Sequence, residues 1–214
     1  MSVQHADFSV PRGNENQWRE RRGGREVTIT DHPVRAERVE FLNEPDDPSE
    51  GPLTLKFYLG AGHEVSEHTH PKQTETLTVN EGELEATVDG ETQTLGVGDT
   101  VRIEPTVPHG YRVISDEDAV LSVSITPALQ FKEFVIAEHA LSAEDYPESG
   151  LNLPYLGRVS KRYGPMIAAP GGSLQRAIFG TLLSVVGRIK GLEIPDEPLP
   201  LRETESESAG GKDA

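Results

Sequence analysis

The sequence predicts a mainly β fold, an antiparallel sandwich or barrel followed by α-helices. Three observations predict it. Between residues 26 and 137 apolar and polar residues alternate in short runs, with no helical period between them. Gly, Pro, Asn and Asp interrupt those runs at close intervals, which is the chemistry of tight turns. Beyond residue 138 the apolar spacing changes to steps of three and four.

Taken in order, residues 1–25 are polar, include RERRGGR at 19–25, and are expected to form a solvated or loosely docked arm without a function of their own. The barrel is assigned to residues 26–137. REVTIT and ERVEFL read as its first strands, and in LTLKFYL at 53–59 the residues Leu53, Leu55, Phe57 and Leu59 share one face. ETLTVNEGELEATVDGETQTLGVGDTVRI, beginning at Glu75, reads as successive hairpins. Its turns fall at Asn80 to Gly82, Asp89-Gly90 and Gly98-Asp99. AVLSVSI at 119–125 and FKEFVI at 131–136 complete the expected strands.

A helical extension is assigned to 138–194, its main helix within GGSLQRAIFGTLLSVVGRIKGLE at 171–193. Leu174, Ala177, Ile178, Leu182, Val185, Val186 and Ile189 make one apolar stripe. Packing on the sheets is its commonest use; a homodimer contact and a membrane surface are the other two. The acidic segment 195–214 has the composition of disorder.

A chain of 214 residues is long enough for one domain with appendages. Its formal charge of −16 excludes a sequence-independent nucleic-acid surface, and no helix-turn-helix is visible. Scarce lysine and carboxylates spread along the chain predict a halophilic protein kept soluble by hydrated acids. With no cysteine, any metal must be held by His and carboxylate. No signal peptide is visible, and the longest apolar run, near Ala177 to Val186, is shorter than the roughly 18 to 20 residues of a membrane span, so no span and a cytoplasmic location are expected.

The chemistry-bearing stretch is GHEVSEHTHPKQTE at 62–75, where three of the seven histidines are crowded together. His68 and His70 are two apart, so on a strand both imidazoles leave the same face. Glu75 shares parity with Leu77 and Val79, and an inward carboxylate is costly unless it is paired or metal-bound. His109 lies in line with Tyr111 and Val113, after a turn held by Pro105 and Pro108. Three imidazoles and a carboxylate suit a divalent first-row metal. His63 is expected to be an exposed loop residue, and His5, His32 and His139 receive no role.

The spacing Gly62, five residues, His68, one, His70, four, Glu75, six, Gly82 is similar to the first signature of the cupin superfamily. The second is matched from Gly98-Asp99 to His109, eleven positions after Gly98. Over residues 40–130 the chain therefore resembles a single-domain cupin, which implies a double-stranded β-helix, or jelly roll. It departs at Glu104-Pro105-Thr106, where Pro-x-Gly is usual, and at Val113, where Asn is common. The helices after the barrel resemble an extension found on a set of small cupins without a settled activity.

The resemblance implies that His68, His70, Glu75 and His109 bind one ion of Fe, Mn, Ni, Cu or Zn. It further implies a dioxygenase acting on a small molecule, with Glu75 as ligand and catalytic base. The alternatives are a metal-dependent isomerase or epimerase, and a non-catalytic binding or sensor module. Lys56, Tyr58, Arg102, Tyr111 and Arg112 are the polar candidates for orienting a ligand. Leu55, Phe57, Leu77, Val101 and Ile103 are wall or core.

Overall fold

The computed structural model describes residues 16–141, 143–147, 152–169, 173–195 and 201–202. Eleven strands precede the helices: β1 Gln17–Arg22, β2 Arg25–Asp31, β3 Glu37–Asn43, β4 Leu53–Leu59, β5 Glu64–His68, β6 Thr74–Glu81, β7 Leu84–Val88, β8 Glu91–Leu95, β9 Thr100–Ile103, β10 His109–Val113 and β11 Ala119–Thr126. Three α-helices follow, α1 Phe131–His139, α2 Leu153–Tyr163 and α3 Ser173–Ile189, and then a two-residue strand, β12 Leu201–Arg202.

Two sheets form the barrel. One runs β12-β1-β2-β3-β4-β11-β6-β9 and the other β5-β10-β7-β8. Pairing is antiparallel except between β1 and β12. Alternation sends Leu53, Leu55, Leu77, Val79, Leu121 and Val123 of the first sheet into one buried cluster with Leu84, Ala86, Tyr111 and Val113 of the second. This is the antiparallel barrel that the alternation pattern predicts and the double-stranded β-helix that the family resemblance implies.

The turns fall where the sequence places them, with positive φ at Gly82, Asp89, Gly90 and Gly98. Gly82 is the most constrained: its φ is 78°, and a Cβ there would lie 2.9 Å from the Ala119 Cα. Gly82→Ala is expected to cost about 2 to 4 kcal/mol, the sum of a left-handed backbone and an overpacked contact, read as a lower urea midpoint with unchanged slope.

Four expectations are corrected. FKEFVI is helical, because Phe131, Phe134 and Val135 bury one face at steps of three and four. The helical segment thus begins at Phe131 rather than at 138. The N-terminal arm is not wholly loose. Gln17–Arg22 pairs along its whole length with β2, and Trp18 is buried with Val27 and Ile29. Residues 1–15 lie outside the described residues. Of the expected disordered tail, Leu201 and Arg202 pair with Arg19 and Glu20, and the remainder beyond Pro195 lies outside the described residues.

The fourth correction concerns the apolar stripe. α3 packs against α2 through close contacts of Gly157 with Leu183 and Ser184, and of Gly187 with Pro154 and Arg158. Leu182, Val185 and Ile189 therefore point outward. The side chains of Leu174, Ala177 and Ile178 lie outside the described residues.

Candidate metal centre

His68 ends β5 and is paired directly with His109, the first residue of β10. Close approach of the two strands requires a glycine beside His109, since a Cβ on Gly110 would lie 2.8 Å from the Val65 carbonyl oxygen. His70 falls just past the end of β5, where Thr69 makes an isolated bridge with Ala168 in the segment after α2. Glu75 comes from β6 in the opposite sheet and is buried in the same parity as Leu77 and Val79. Side-chain atoms of His68, His70, Glu75 and His109 lie within 4.8 Å of one another, a cluster that could hold a metal ion. None of the four residues is more than 9 % exposed.

The hydrogen bonds around the rings define their tautomers. Nδ1 of His68 lies 2.9 Å from the Ser66 carbonyl, Nδ1 of His70 2.7 Å from that of Met166, and Nδ1 of His109 2.9 Å from that of Val107. A carbonyl oxygen only accepts, so each Nδ1 carries a proton and, in a neutral ring, each Nε2 presents its lone pair. Yet Nε2 of His70 and of His109 lie 3.0 and 3.1 Å from the same Glu75 oxygen, Oε2. Acceptors facing an acceptor repel unless a cation, either a proton or a metal ion, lies between them.

Titration follows the same geometry. Burial, then the neighbouring His109 and His70, pushes His68 down to about 4, so its ring is neutral. Burial opposes the charged form of Glu75, but hydrogen bonds from His109 and His70 outweigh it and hold the carboxyl well below the usual range. Burial also opposes a charged His109, and the Glu75 carboxylate outweighs it, raising the ring's affinity for a proton. An ionised carboxylate among imidazoles, one of them held neutral, is a donor set that fits a divalent transition metal. Met166 and the ring of Phe131, 5.6 Å from that of His70, fix the His70 orientation from outside the barrel motif.

Of the polar candidates for orienting a ligand, only Tyr111 is buried inside the barrel. Arg102 pairs with Glu104, Arg112 with Glu85 and Tyr58 with Glu40, all on outward faces. Leu55, Leu77 and Ile103 are core, and Phe57 and Val101 pack partly buried against it.

The remaining described histidines correct the expectation made for them. His63 is buried 3.3 Å from Glu37, and His32 and His139 are buried beside Glu138. His139 Nε2 lies 3.1 Å from Glu138 and 3.4 Å from Glu37, and Arg35 reaches both carboxylates. His32 Nδ1 accepts the backbone N–H groups of Val34 and Arg35, which places its proton on Nε2 and makes that atom a donor. With Arg35 among them, these groups form a charge network. The β2–β3 loop, the first residue of β3, the turn before β5 and the end of α1 supply it, and no local motif marks it.

A family model described as Cupin domain, Cupin_2, matches residues 56–126. Polyketide synthase CurC of Streptomyces cyaneus is 36% identical over 66 residues, 31% of this chain and 43% of that protein. The chain thus spans less than half the length of that curated relative. An RmlC-like cupin from Shewanella frigidimarina NCIMB 400 is similar with a TM-score of 0.45 and 24% identity, over 55% of this chain and 98% of that one. The Cupin_2 domain of an XRE family transcriptional regulator from Enterobacter cloacae is similar with a TM-score of 0.38 and 31% identity, over 42% and 96%.

Proposed function

Because the chain belongs to the cupin superfamily, we propose that His68, His70, Glu75 and His109 hold one divalent transition metal and that the protein is a dioxygenase for a small, oxygen-chelating substrate. The observation that carries the metal is the convergence of two Nε2 atoms, whose rings donate from Nδ1 to backbone carbonyls, on one carboxylate oxygen. A bound Fe, Mn, Ni or Cu ion would supply a Lewis acid able to gather a chelating substrate and dioxygen.

The chain's own residues supply the rest. The carbonyls of Ser66, Met166 and Val107 hold the three imidazoles in one tautomer. Phe131 and the core side chains bury the centre, which strengthens every charge interaction there. Glu75 would be the fourth ligand of a bound ion and would supply the base for a substrate hydroxyl. The relative's printed name, a polyketide synthase, favours substrates with paired enolic or phenolic oxygens, which chelate.

The test is elemental analysis of protein purified without a His-tag or chelator, joined to dioxygen uptake with catechols, flavonols and diketones. Near-stoichiometric Fe, Mn, Ni or Cu with uptake supports the dioxygenase. Metal without uptake shifts the function to isomerisation or ligand binding, and no metal overturns the centre.

A further inference from the structure

Charge is segregated along this chain. Residues 152–192 hold six of its 20 basic residues, Arg158, Lys161, Arg162, Arg176, Arg188 and Lys190, and none of its 36 acidic ones. A chain of net charge −16 thus carries a 41-residue stretch of net charge +6, and that stretch holds the α2–α3 pair.

The packing of that pair decides what it presents. Leu183, Ser184 and Gly187 of α3 lie against α2. This turns Leu182, Val185 and Ile189 to solvent, at 58%, 47% and 80% exposure. Alongside runs a cleft of 430 Å³ lined by Arg158, Lys161, Arg162, Arg188 and Val185, with Glu193 its one acidic lining residue. Arg158 is anchored to the Leu192 carbonyl. Val185 lines the cleft and stands in the apolar stripe, so cations and apolar side chains form one continuous surface.

We propose that this surface docks the protein on a membrane bearing anionic lipid headgroups. An apolar stripe flanked by cations is what an interfacial helix uses: the stripe enters the headgroup boundary while Arg and Lys meet lipid phosphates. A free anion would engage the cations and leave Leu182, Val185 and Ile189 in water. A two-fold contact with a second copy would bring two cationic clefts together, and a head-to-tail contact onto the acidic body of another copy would build a ring or filament rather than a dimer. On a membrane, repulsion of the acidic body turns the barrel away from the surface and leaves α2–α3 facing it.

The test is co-sedimentation of the full chain with phosphatidylcholine vesicles, with and without phosphatidylglycerol, at the lowest salt that keeps it folded by circular dichroism. Phosphatidylglycerol is expected to raise the bound fraction about tenfold, and added salt to lower it. Combined Arg158→Gln, Lys161→Gln and Arg188→Gln should return binding to the neutral-vesicle level. Combined Leu182→Ser, Val185→Ser and Ile189→Ser should lower it about fivefold with an unchanged spectrum. Equal retention on both vesicle types overturns the proposal. So does a soluble dimer, seen by light scattering, that the serine variant dissociates. Loss of vesicle binding to millimolar inorganic phosphate at constant ionic strength would instead identify a soluble-anion site.

Discussion

His109→Ala is expected to empty the proposed metal centre: the metal content should fall from near one ion per chain to about a tenth of that or less. His109 is the first residue of β10, paired with His68, and its Nε2 faces Glu75 from 3.1 Å. Removing it takes away one of four converging donors and the ring that pairs with His68 across the two strands, which lowers the ion's affinity in a site shaped for four. Glu75→Gln should have an equal effect by another route, since a neutral amide takes away the anion around which the rings converge. A thermal readout separates lost metal from lost fold. A metal that binds only the folded state, present at about 100 times its dissociation constant, adds roughly 2.7 kcal/mol to the wild type. Both variants should melt near the chelator-stripped wild type and gain nothing from added metal. Retention of near-stoichiometric metal by either variant would show that the four residues are not the ligand set.

The four residues of the centre are visible in the sequence because strand parity and motif spacing both operate over short distances. His68, Glu75 and His109 need only a two-residue period and the five turns between β5 and β10 to be placed, and His70 follows two positions after His68. Where the sequence misleads, tertiary packing decides. FKEFVI is too short and too apolar to show either period cleanly, and burial of Phe131, Phe134 and Val135 on one face selects the helix. Gln17–Arg22 lacks an apolar period because ion pairs such as Arg19–Glu26 and Arg22–Glu40 dress its exposed faces, while backbone pairing makes it a strand. The stripe on α3 identifies an apolar face correctly but not its partner, since glycines at 157 and 187 let the opposite side approach α2. His32, His63 and His139 are far apart in sequence, so their convergence on Glu37 and Glu138 has no local signature.

That convergence carries the second large effect. Glu138→Ala is expected to destabilise the fold by about 3 to 5 kcal/mol, because it strands a buried imidazolium and Arg35 with one carboxylate between them. The pH dependence tests the charge assignment itself. Burial opposes a charged His139, but the hydrogen bonds its Nε2 donates to Glu138 and Glu37 outweigh it and raise the ring to about 9. A raised folded-state value stabilises fully below the unfolded value, near 6.5, and that contribution disappears as pH climbs through about 9. For a ring 1% exposed this is on the order of 3 kcal/mol. Glu37 and Glu138 are held low, so their contribution is complete above the ordinary carboxylate range and fails only below it. His32, lowered chiefly by burial, acts oppositely: below about 6.5 the unfolded chain takes up a proton that the folded one refuses. Stability of the metal-loaded protein should therefore peak near pH 6.5 and decline toward pH 9. His139→Gln, with no proton to lose, should be less stable at pH 6.5, show a shallower alkaline slope, and meet the wild-type curve above about pH 9. Urea midpoints across pH 6 to 10 read both curves, and parallel curves throughout would mean that His139 is neutral in the folded protein.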